Sequence, residues 1–173
     1  MAMPIDMLRE LYRHMEWADA AVWRAALAHP PAARDARLRD LLLHLHTVQR
    51  AFFLVWTQQA LAFPEPGEFP TIGSVREWSH PVYEKATRFL ESVDADALER
   101  PVVLPWAAQV ATRIGRTPED PTLAETIFQV TSHSTYHRGQ VNARLREIGG
   151  EPALVDFIAW VWFGRPEPDW QVT

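Results

Sequence analysis

Apolar residues recur at three- and four-residue intervals through four long stretches of this chain, and 14 prolines against seven glycines do most of the separating. That pattern commits the chain to amphipathic helices joined by stiff connections. Leu8, Leu11, Tyr12, Met15, Val22, Trp23 and Leu27 give Met7–Ala28 one apolar face, with Asp6 placed as an N-cap and Pro30-Pro31 as a stop. A second helix is predicted from about Ala36 to Leu61, capped by Asp35, with Leu38, Leu42, Leu45, Phe52 and Trp56 on its buried face. Prolines and a glycine between Phe63 and Pro70 exclude regular structure there. A third helix is expected from Ser74, through a Ser74-x-x-Glu77 capping box, to about Ser92, with Pro81 kinking it or displacing its start. Pro101–Arg116 carries the strand-prone Val102, Val103, Leu104 and Val110 and reads as a loop with at most one short hairpin.

The fourth helix has two competing starts, Asp120-Pro121 and a Thr122/Glu125 capping box. Leu123, Ile127, Val130, Val141, Leu145 and Ile148 continue its stripe until Gly149-Gly150 ends it. A short tail helix follows, about Leu154 to Phe163. No strand–helix alternation appears, so the fold class is all-α: an antiparallel four-helix bundle with a short C-terminal helix, in one domain over residues 1–173.

Composition narrows the chemistry. Cysteine is absent, which removes disulfides, thiolate nucleophiles and Cys-ligated metal sites. Seventeen basic residues, of which Lys85 is the lone lysine, face 22 acidic ones for a net charge of −5, so no nucleic acid is expected as partner. No apolar run approaches the ~20 residues of a membrane span. The start of the chain meets Arg9 and Glu10 before any signal-like run, so no membrane and a cytoplasmic location are expected. No Gly-x-Ser-x-Gly elbow occurs to suggest a serine nucleophile.

Seven histidines remain as candidates. His133 and His137 lie four apart in the fourth helix, on one face, where two imidazoles can share a transition metal or line the edge of the packed stripe. His44 and His46 diverge by ~200° on the second helix, so at most one can join a common site. Both sit at a similar angle from the apolar face, and periodicity leaves the choice open.

The run His133-x-x-x-His137-Arg138-Gly139-Gln140 resembles the signature of the DinB/YfiT-like superfamily. His44-Leu-His-Thr-Val-Gln-Arg50 resembles that family's second-helix motif, Tyr12-Arg-His-Met-Glu-Trp-Ala18 its first, and Gly149-Gly-Glu-Pro with Asp156-Phe-Ile its closing segment. The resemblance implies a DinB-type bundle, often a homodimer. It also implies a divalent metal ion (zinc or nickel before iron or manganese) held by His44, His133 and His137, since the family register places the ligand six residues before an Arg. Members with known activity use a low-molecular-weight thiol as S-transferases or isomerases, and others are described as hydrolases. The expected function is therefore a metal-dependent thiol transferase or hydrolase acting on a small-molecule substrate. The alternative is a non-catalytic metal- or ligand-binding stress-response bundle. Three neutral imidazoles leave an ion its full charge and an open coordination position, the pattern of centres that activate water or a thiol. With no cysteine in the chain, any thiol must arrive as a cosubstrate.

Neighbouring residues carry paired readings. Gln140 reads as a partner for a histidine N–H or as a solvated amide, and Arg138 as a structural ion pair, a surface group or an anion binder. Gly139, costly in mid-helix, predicts close approach of another helix. Asp156 suits helix capping or solvent, or the orienting of a histidine. Glu16 and Trp17 resemble family positions that line the bundle, in its core or at its rim. Trp56, Trp106, Trp160 and Trp162 are core packing or the wall of an apolar pocket.

Overall fold

A computed structural model describes residues 4–65 and 67–171; Met1–Met3, Pro66 of the proline-rich connection, and residues 172 and 173 lie outside it. The chain is all-α. The helices are α1 (Ile5–Leu27), α2 (Ala36–Trp56), α3 (Ile72–Ser79), α4 (Pro81–Ser92), α5 (Ala95–Leu98), α6 (Ala107–Ile114), α7 (Leu123–Glu147) and α8 (Phe157–Trp162), with a 3-10 turn at Pro30–Arg34. The longest helix, α7, packs against both α2 and α1, and α4 packs against α1 and α2, which makes the four-helix bundle. None of the described helices is long and apolar enough to cross a membrane.

Local chemistry sets the boundaries, and several differ from expectation. α1 starts at Ile5, after Pro4, and Asp6 lies in its first turn, paired with Arg9 at 3.3 Å. Asp35 does cap α2, accepting from the Leu38 N–H at 2.7 Å. α2 ends at Trp56, short of Leu61, because Thr57 turns its hydroxyl back to the Phe53 carbonyl and Gln58 adopts a positive φ of 55°. The third helix is two. Pro81 takes the first position of α4, where its missing N–H costs nothing. The capping box of α3 is Thr71 with Ser74, not Ser74 with Glu77, since buried Ile72 and Val75 draw the helix start three residues earlier.

For α7, the Thr122/Glu125 box prevails: the Glu125 N–H donates to Thr122 Oγ1 at 3.2 Å and the Thr122 N–H to Glu125 Oε2 at 2.7 Å. The Pro121 carbonyl is used elsewhere, accepting from the Val102 N–H. The expected hairpin is absent among the described residues. One isolated antiparallel bridge, Pro101 to Thr122, stands in its place, and Ala107–Ile114 is helical. Alanines and Gln109 favour helix in that stretch, and Val110 is an exposed helical residue rather than a strand residue. At the far end of α7, Gly149 takes φ 84°, and a Cβ on Gly150 would lie 2.5 Å from Leu145 Cδ1, so the tail can fold back only at glycine. Asn142 then ties the tail down, donating to and accepting from the Ala153 backbone.

The core falls into two large apolar clusters and a small third one of Trp17, Ala18 and Trp160. One large cluster surrounds Tyr12, Met15, Phe52, Leu90 and Ile127; the other surrounds Trp23, Leu38, Leu42, Val141 and Leu145. On α1, α2 and α7 alike, buried polar residues lie between the two large clusters: Asp19, His46 with Gln49, and Ser134 with Arg138. The bundle thus has a polar belt at mid-height.

Candidate metal centre

α2 and α7 run side by side, and the histidines of interest sit at the level of that belt. His44 is exposed on α2, and the partly buried His133 lies one turn before His137 on α7. One nitrogen from each of His44, His133 and His137 falls within a group whose members all lie within 4.8 Å of one another. The ring centroids are 4.2 Å apart for His133 and His137, 4.5 Å for His44 and His137, and 5.5 Å for His44 and His133.

Hydrogen bonding decides what each ring can offer. Gln140 Oε1 can only accept, so at 2.7 Å it takes the Nδ1 proton of His137 and leaves Nε2 with a free lone pair. That is the supporting role weighed for Gln140. His133 Nε2 is buried and has no hydrogen-bond partner, an exception to the rule that buried polar atoms are paired. Burial, with His137 and His44 beside it, pushes the His133 imidazole down to about 4. Burial and His137 also lower His44. His133 and His44 are thereby held as neutral imidazoles at neutral pH. Three imidazole nitrogens at this spacing, one of them orphaned, fit a divalent ion and would leave at least one position for another ligand.

His46 faces the other way and is fully committed. Its Nε2 accepts from Trp23 Nε1 at 2.8 Å, and its Nδ1–H donates to Gln49 Oε1 at 2.8 Å. It belongs to the polar belt, whose centre is an ion pair of Arg138 with a partner, Asp19, that the sequence did not mark. Arg138 Nη1 donates to Asp19 Oδ1 at 2.9 Å, with both side chains 1% exposed. Asp19 Oδ2 accepts from Gln49 Nε2 and from the Tyr83 hydroxyl, each at 2.7 Å. Gln49 also donates to Ser134 Oγ at 3.0 Å. Of the readings open for Arg138, the structural ion pair is the one found. Asp19 gave no signal of its own, because an aspartate within an alanine-rich stretch resembles a solvent-facing residue.

The remaining candidates separate cleanly. Gly139 has nothing within 4 Å of where its Cβ would stand, so no helix of this chain makes the expected close approach. Asp156 is exposed at the start of α8 and makes no side-chain cap. Trp17 packs with Ala18 and Trp160, while Glu16 accepts from Trp170. Trp56 is core, donating to Thr126, and Trp162 is exposed. Only Trp106 of the four tryptophans weighed as a pocket wall lines a cavity reaching the cluster, a space of 340 Å³ that also touches His133.

Residues 3–168 match the model of the DinB family. The chain belongs to the DinB family. The match spans all of α1 to α8, so the bundle and the histidine cluster lie within it. Family membership and the three-histidine cluster together fit a metal-binding protein. No curated protein matches the chain.

Proposed function

We propose that the chain is a metal-dependent enzyme acting on a small molecule, with His44, His133 and His137 as ligands of one divalent ion, zinc or nickel before iron or manganese. The observation that carries this reading is the trio of imidazoles whose nitrogens converge within 4.8 Å, one of them buried without a partner. Bound there, a divalent ion supplies a strong electrophilic charge that lowers the pKa of water or of a thiol. Gln140 holds the His137 ring in the tautomer that turns Nε2 toward the ion. The proposed reaction class is S-transfer from a low-molecular-weight thiol, with hydrolysis as the competing outcome, and the thiol is a cosubstrate because the chain has no cysteine. The working unit is proposed to be a homodimer in the cytoplasm.

The test starts with metal analysis of protein purified without an affinity tag, expected to give one ion per chain. His46→Ala should keep that ion, and His44→Ala, His133→Ala or His137→Ala should lose it. Turnover of chlorodinitrobenzene with several small thiols should then require the ion. Turnover untouched by chelation and by His137→Ala overturns the reading, and turnover with water alone selects the hydrolase. Light scattering should return twice the chain mass of 19.8 kDa.

A further inference from the structure

The cavity that touches His133 has a definite chemistry. On α2, Val48 and Ala51 follow His44 by four and seven residues, and on α7, Gln129 precedes His133 by four. These spacings keep one helix face, so the cavity is the continuation of the histidine groove, beginning ~6 Å along the bundle from the His44 level at ~1.5 Å per residue. Phe52 and Trp106 meet edge to face at 5.2 Å and 77° on one side, and Phe63, 57% exposed, reaches in from the proline-rich connection.

No charged side chain lines this space. A charged occupant would leave water without a partner, which is costly. What the lining does offer is aromatic and aliphatic surface, with the hydroxyl of Thr47 and the amide of Gln129 as neutral polar groups. Its volume of 340 Å³ is at the small end of the roughly 300–1,000 Å³ of small-molecule sites.

We propose that this cavity is the subsite for the uncharged, aromatic body of the small-molecule substrate, held beside His133, and that the polar thiol does not occupy it. The role as substrate site rests on the metal reading above; the binding preference itself does not require the ion.

A matched pair of fluorescent probes tests the proposal on the full chain: neutral phenylnaphthylamine and its sulfonated relative, anilinonaphthalene sulfonate. Both are titrated with zinc-loaded and with chelated protein. The neutral probe should saturate at one per chain in either state, with the sulfonate weaker by about tenfold or more. Ala51→Trp, which fills the cavity, should weaken the neutral probe by about tenfold while zinc stoichiometry and the circular dichroism spectrum stay unchanged. Phe63→Ala, on an exposed connection outside the bundle, should weaken it by about threefold without touching the fold. Gln129→Lys, at an exposed α7 position, should reverse the preference toward the sulfonate. Neutral-probe affinity unmoved by both Ala51→Trp and Phe63→Ala overturns the proposal, as does equal binding of the two probes. Binding of the neutral probe at this cavity by a protein that takes up no zinc supports the subsite and sinks the metal reading alone.

Discussion

Two histidines two residues apart on α2 live in opposite chemical worlds. His46 is 2% exposed, with both ring nitrogens spoken for, by Trp23 and Gln49. His44 is exposed and points its ring at two other imidazoles, 4.5 and 5.5 Å away. The first sits in a belt where every buried side-chain polar atom but Arg138 Nε has a partner; the second sits in a cluster of three imidazoles, where the buried His133 Nε2 has none. A satisfied histidine holds a fold together. One whose buried nitrogen has no partner leaves a lone pair or a proton for a ligand to meet.

The sharpest way to break this comparison is to attack the belt at its ion pair. Arg138→Met leaves Asp19 as a buried charge and should cost about 3–5 kcal/mol by chemical denaturation. Asp19→Leu combined with Arg138→Met should regain most of that loss, since both charges then leave the core together. A double variant no more stable than the single one would show that the belt's other hydrogen bonds, not its charges, organise the bundle.

The paired histidine substitutions come next. His46→Ala should destabilise the metal-free protein by about 2–4 kcal/mol, from a cavity plus the orphaned Trp23 and Gln49 groups. His44→Ala, at an exposed position, should change it by about 0.5 kcal/mol or less while abolishing metal uptake. Equal destabilisation by the two would erase the distinction drawn between them. Gln140→Leu sharpens it further: metal affinity measured by competition with a chelator should fall about 10–100-fold, with the fold intact.

The smallest effect expected is on pH dependence. His133 is lowered from 6.5 to about 4 in the folded chain, so between those values the unfolded chain holds more protons there. The His133 contribution to the stability of the metal-free protein is therefore complete above pH 6.5 and is lost as pH falls toward 4. Denaturation midpoints between those limits should rise with pH, and His133→Gln should flatten part of the slope. His46, lowered by its burial, adds to the same slope from the belt side.

The long helices were legible in the sequence because each buries one stripe, and periodicity reports burial. α6 escaped because none of its residues is buried, which leaves no stripe to read. The start of α3 moved because Thr71 offered a cap that let Ile72 and Val75 reach the core. Within the site, spacing alone paired His133 with His137, whereas the choice of His44 came from the family register. The wheel could not make it, because the two α2 histidines flank the apolar face alike. Asp19 and Arg138 are 119 residues apart in the chain, and neither carries any local mark of the other. Long-range polar pairing of that kind leaves no periodic trace.

One feature of the cavity bears on how such proteins diversify. Its histidine-facing end is built by α2 and α7, whose packing holds the bundle together, but Phe63 and Trp106 hang from the segments that join α2 to α3 and α5 to α6. Insertions, deletions or substitutions in those two connections can reshape what the cavity admits while the helices that carry the histidines keep their register. Selection can thus retune the ligand at little risk to the centre, and a library confined to residues 57–65 and 99–106 is the natural place to redirect it.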